Sequence, residues 1–144
     1  MLSFYNPQFH RISEIQADSI ARRYPDMRIA SLRLHWAIPN REFACHNDPD
    51  ARKGDLWGWV QKESGAKAFL LAVTDDGAEW CGHEAFFIAA PDITEPFHSK
   101  DLHEQFYGDV PIKEGKSLEG RSSFFDSSKA ERLLGWKHEE IQVN

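Results

Sequence analysis

His35 and Trp36, in "SLRLHWAIP", follow directly on a run of strand-forming residues. An imidazole there can take or give a proton near neutral pH, and an indole can stack on a small-molecule ring. If the run is a parallel strand, both stand at its carboxyl end, where open α/β sheets receive ligands. With acidic neighbours, His35 would be the acid/base group of a small enzyme. As plain structure, His35 is a polar strand-end residue and Trp36 a packing aromatic. Metal donors also occur in pairs: "ACH" sets Cys45 beside His46, and "WCGH" sets Cys81 two residues before His83. Neither pair has a partner at the C-x2–4-C or H-x3–5-H spacing of zinc sites. Incidental packing is the reading for all four, and no metal is expected.

The composition narrows the partners. With 144 residues the chain can form one domain with a real core. Apolar residues at 41% and charged residues at 28% are ordinary for a globular protein. A net charge of −6 gives no basic footprint for nucleic acid or an anionic membrane. Apolar runs such as "AFLLAV" are far too short to span a bilayer, and no charged-then-apolar leader pattern is present. Two cysteines do not make a disulfide framework, so a reducing, cytoplasmic setting is expected.

The elements that must position these residues alternate in type. "ISEIQADSIARRY" carries Ala17, Ile20, Ala21 and Tyr24 on one helical face, and Pro25 stops it. Residues 27–35 and 84–90 read as buried strands, with a loop or excursion over 37–53. "DLWGWV" reads as a short strand or extended lead-in. In the helix that follows, about 61–74, Ala66, Phe69, Leu70 and Val73 mark the core face, and Asp75, Asp76 and Gly77 form a turn. Ser99 caps a helix through Leu102 and Phe106 that Gly108 ends, and "VPI" and "SLEGRSSFF" are extended pieces. Asp126 or Ser127 caps the last helix, with Ser128 and Glu131 at capping-box spacing and Lys129 on its surface. Gly135 ends this helix left-handed, and Trp136 packs back. The order predicts an α/β fold with two adjacent parallel strands and helices against them.

Four segments, in order, resemble one family: the extended short-chain dehydrogenases/reductases, or NAD-dependent epimerase/dehydratase family. "ADSIARRYPDMRIASLRLHWAIP" is similar to its helix after the catalytic motif, the strand with the Leu-Arg signature and the following loop. "DLWGWVQKESGAKAFLLAV" resembles its Tyr-Val-Asp stretch and Ala-rich helix. "GHEAFFIAAPD" resembles its last large strand, and "FDSSKAERLLGW" its Asp-x-Ser-Lys-Ala…Leu-Gly-Trp helix. The resemblance runs from about Ser13 to His138 and covers only the C-terminal half of that fold. It implies a partial Rossmann-like parallel sheet from 1–39 and 55–92, with small substrate-domain helices over 93–144. It also implies a loop after Trp36 that would meet nicotinamide and substrate, and an Arg121 near the segment that sends an arginine to substrate phosphates. As plain structure, Arg121 is a solvated loop residue.

The family's NAD or NADP chemistry needs two features that fail here. No G-x-G-x-x-G or G-x-x-G-x-x-G occurs, and the nine glycines are scattered through turns. The Tyr-x-x-x-Lys positions fall on Asn6 and His10, with Tyr5 one residue off and Pro7 between. Two usually acidic positions are Gln61 and Ser64, while the packing residues Ala66 and Ala68 persist. The expectation is a chain without bound cofactor or independent catalysis. Two alternatives stand beside it: a small binding protein whose exposed sheet edge pairs with a second copy or a full-length relative, and the acid/base enzyme built on His35.

Overall fold

The structure is a computed structural model that describes residues 7–74 and 80–140, with side chains from residue 11 onward. Helix α1 (Pro7–Arg23) leads to strand β1 (Arg28–Leu34), a two-residue β2 (Ala37–Ile38) and 3-10 turns at Arg41–Ala44 and Lys53–Asp55. Then come β3 (Val60–Gln61), α2 (Lys62–Thr74), β4 (Gly82–Ile88), α3 (Ser99–Tyr107) and α4 (Ser128–Leu134). The fold is α/β. β1 and β4 pair parallel along their whole length, from Arg28 opposite Gly82 to Leu34 opposite Ile88. A second parallel pair joins β2, which lies where a loop was expected, to β3.

Strand alternation assigns the layers. Ala30, Leu32 and Leu34 of β1, with Phe86 and Ile88 of β4, face α2, α4 and the buried Trp136. The opposite face meets α1 and is more polar than an apolar run predicts. Arg33 donates to both Glu14 oxygens of α1 at 2.7 and 2.6 Å, and His83 Nδ1 lies 2.7 Å from Asp18. Ion pairing as well as apolar packing therefore holds α1 to the sheet. Of its expected stripe Ala17 and Ala21 are buried, while Ile20 and Tyr24 face solvent.

The core face of α2 is also a correction. Ser64, Gly65 and Ala68 are buried, whereas Ala66, Phe69, Leu70 and Val73 are exposed. Small residues win because the helix lies close on β1: a Cβ at Gly65 would sit 3.2 Å from Leu34 Cδ2. "DLWGWV" yields strand only at Val60 and Gln61, since Leu56 and Trp57 are left-handed with φ of 55° and 51°.

The helix ends differ in detail from the capping pattern. Ser99 lies inside α3, behind His98, and its hydroxyl donates to the Ser122 carbonyl at 2.6 Å. Ser127 precedes α4, but its Oγ bonds Ala89, so Asp126 Oδ1 accepts the Ser128 amide instead. Ser128 is already helical, so no box forms with Glu131. Gly135 is left-handed as expected, at φ 65°. Lys129 is not mere helix surface: its ammonium donates to the Ala85 carbonyl on the outer edge of β4 and pairs with Glu84. "VPI" and "SLEGRSSFF" form no strand; one antiparallel bridge joins Asp92 to Ser122. The expected turn at 75–77, Tyr5 and Asn6 lie outside the described residues, as does the side chain of His10, whose backbone belongs to α1.

Candidate functional site

His35 stands one residue past β1, at the carboxyl end of the parallel pair. Its backbone amide still bonds Ile88 at 3.1 Å, so the sheet fixes its position. Both ring nitrogens are engaged. Nδ1 accepts the Trp36 amide at 2.8 Å, so the proton resides on Nε2, which donates to the Asp55 carbonyl at 3.0 Å. The Phe125 ring packs on it at 4.7 Å. Gly58 abuts both rings: a Cβ there would fall 2.7 Å from Phe125 and 2.8 Å from the imidazole. Burial holds the His35 pKa below 6.5; the nearby Asp55 opposes this and the Arg52 guanidinium adds to it. The imidazole is a neutral, fully bonded corner post.

Trp36 is not the packing residue expected; its indole is 41% exposed. Arg52 lies beneath it, with Cζ 4.2 Å from the ring centre. The guanidinium donates to Asp55 Oδ2 through Nε at 3.0 Å and Nη2 at 2.7 Å, and Nη2 also reaches the Gly58 carbonyl at 2.7 Å. Its Nη1 is buried without a partner. Arg52, Leu56 and Trp57 all carry positive φ, so three side chains hold a conformation that favours glycine. Sequence reasoning missed Arg52, Asp55 and Phe125. Only Gly58, between two tryptophans in "WGW", carried a signal of close approach.

Arg121 does not join this corner. It lies 3.4 Å from Asp92, which also accepts the Trp59 indole N–H at 3.1 Å and has Arg41 at 3.8 Å. Burial raises the Asp92 pKa, while the Trp59 hydrogen bond and Arg41 oppose the rise. The arrangement serves to anchor the Asp92–Ser122 bridge. His35 and Trp36 are thus brought together, and Arg121 has different partners.

A third constellation lies under α1. Asp18 Oδ1 contacts His83 Nδ1 at 2.7 Å, and His83 Nε2 contacts Ser31 Oγ at 2.8 Å. The connectivity is that of a serine-activating relay, yet Ser31 sits inside β1 and not on a turn at its end. The contacts tie helix, β4 and β1 together. Of the cysteine pairs, His46 offers its backbone amide to the buried Glu95 carboxylate at 3.1 Å, and both thiols are free. His98 and His103 have H-x4-H spacing, but His103 Nε2 is 2.7 Å from the Val110 carbonyl. Among the described residues no trio of His, Cys, Asp or Glu could hold a metal.

No family model, curated protein or solved structure matches the chain. Among the described residues no helix is long and apolar enough to cross a membrane.

The imidazoles predict a pH dependence. His138 behaves like His35: burial lowers its pKa, Glu140 opposes this, and Nε2 accepts the Gln61 amide at 3.2 Å. Each folded pKa lies below the unfolded value of 6.5, so between the two the unfolded chain binds more protons. Stability is complete above pH 6.5 and falls as the pH drops from there toward the folded values. NMR titration is expected to place both midpoints below 6.5; a midpoint at or above it contradicts the buried, accepting nitrogens.

Proposed function

We propose that this chain is an NAD-dependent epimerase/dehydratase-like α/β protein of the extended short-chain dehydrogenase/reductase type that, as these 144 residues, binds no dinucleotide and does not catalyse alone. The observation that carries the reading is the His35 corner. It stands where such folds place their substrate chemistry, but both ring nitrogens are spent on backbone groups. A proton shuttle needs a nitrogen free to meet substrate. The β1–α2–β4 order, with α1 on the other face, agrees with the segments that resemble the family. No glycine-rich loop is present in the sequence to bring backbone amides to a pyrophosphate. Free cysteines suit a cytoplasmic setting. Energy transfer from the five tryptophans to NADH or NADPH tests the reading. No transfer is expected beyond the optical loss seen with free tryptophan; saturable transfer contradicts it.

A specific observation favours a second role, in association. Strand β1, which pairs with β4, lies between α1 and α2. On one side of it α1 exposes Ile12 and Ile15, and on the other α2 exposes Phe69, Leu70 and Val73. A second copy or a full-length relative would cover both. Sedimentation velocity is expected to show a dimer that the triple change F69E/L70E/V73E returns to monomer. A wild-type monomer at high concentration contradicts it.

A further inference from the structure

A cleft of about 920 Å3 opens beside the end of β4, in the size range of small-molecule sites. None of His35, Trp36 and Arg121 lines it, and it meets the His35 corner at Phe125. Pro91, Leu56, Phe124, Phe125 and Trp136 supply an apolar lining. The charges are uneven. Lys113 and Lys116, on its rim, share the Asp126 carboxylate at 3.9 and 3.2 Å. Asp126 is fixed as a carboxylate, its pKa lowered to about 2 by hydrogen bonds from Ser128 and by Lys116. Two ammoniums against one carboxylate leave one positive charge in excess. The other charged pair on the wall, Lys137 with Glu131 at 2.7 Å, is balanced. Ser122, also on the wall, has a buried hydroxyl without a hydrogen-bond partner.

From this apolar lining, the single excess charge and the unpartnered hydroxyl, we infer that the cleft binds a small organic monoanion: an apolar ring body carrying one carboxylate. The ring lies against Phe124 and Phe125, and the carboxylate replaces part of the Asp126 contact at Lys113 and Lys116. Stacking on aromatic walls selects a ring, and the charge balance selects a single negative group. The second charge of a dianion would find no excess cation on this wall.

Calorimetric titration with 2-naphthoate, and with neutral 2-naphthamide of the same shape, tests the inference. Naphthoate is expected to bind at least about fivefold more tightly than the amide, with the advantage shrinking at high salt. The K113E/K116E variant, its fold checked by near-ultraviolet circular dichroism, is expected to lose roughly tenfold in naphthoate affinity and to bind the amide as before. Ile112, exposed on the cleft wall, tests the location, and Ile112→Asp is expected to weaken both ligands. Equal affinity for the two ligands, unchanged naphthoate binding in K113E/K116E, or no binding of either compound overturns the inference. So does binding that Ile112→Asp leaves intact, which would place the ligand on the exposed faces of α1 or α2.

Discussion

Replacing Trp136 with alanine is expected to destabilise the protein by roughly 3–5 kcal/mol, the range for removing a fully buried aromatic. The ring is 1% exposed and packs with Val60, Ala68, Phe86, Ile88, Ala130 and Leu134, so it joins β3, α2, β4 and α4 in one cluster. Its indole N–H also donates to the Ser64 carbonyl at 2.8 Å, across the first turn of α2. Left-handed Gly135 makes this possible by turning the chain after α4, and the Trp136 amide then reaches the Ala130 carbonyl at 3.2 Å. Trp136→Phe keeps most of the packing and loses the hydrogen bond, so about 1–2 kcal/mol is expected. Urea unfolding of both variants checks this. A cost for the alanine variant below about 1 kcal/mol would mean that the segment after α4 does not seal the core.

Gly58→Ala is the second large effect, and it acts through overpacking. One methyl group would meet Phe125 at 2.7 Å and the His35 ring at 2.8 and 2.9 Å. Neither ring can give way cheaply. His35 is held by hydrogen bonds at both nitrogens, and Phe125 packs between His35 and Phe87, 5.8 Å from the latter. A cost of about 3 kcal/mol is expected, the upper part of the usual range for overpacking. It should be accompanied by a changed His35 resonance, because the added methyl group would lie against that ring. Equal midpoints in urea for wild type and Gly58→Ala would refute the corner geometry.

The parts legible in the sequence were those with a repeating or local signal. The runs 27–35 and 84–90 gave two parallel strands, found at Arg28–Leu34 and Gly82–Ile88, and "LLGW" gave a left-handed glycine with a buried tryptophan behind it. The face of α2 was misread because apolar size was taken as the mark of burial. Against a close sheet it is Gly65 and Ala68 that fit, and the larger residues face out. The segment from 37 to 58 was illegible for another reason. Arg52, Leu56 and Trp57 adopt positive φ without the glycine or asparagine that advertises it, so nothing local announced the turn. His35 and Trp36 were placed at the strand end by pattern, but their partners Arg52 and Asp55 come from that same segment. The Asp18–His83–Ser31 contacts join residues 65 and 52 positions apart, beyond any local periodicity.

The proposal of a dinucleotide-free epimerase/dehydratase-like protein rests on what the His35 corner and the absent glycine loop do to cofactor affinity. Calorimetric titration of the whole chain with NAD and NADP tests it most directly. In the family that the sequence resembles, backbone amides at a glycine-rich helix start hold the pyrophosphate. Without them, and with His35 closed on its own backbone, no heat beyond dilution is predicted for either dinucleotide up to about 1 mM, a limit that corresponds to roughly 4 kcal/mol of binding. A saturable isotherm with a micromolar dissociation constant for either one would contradict the account.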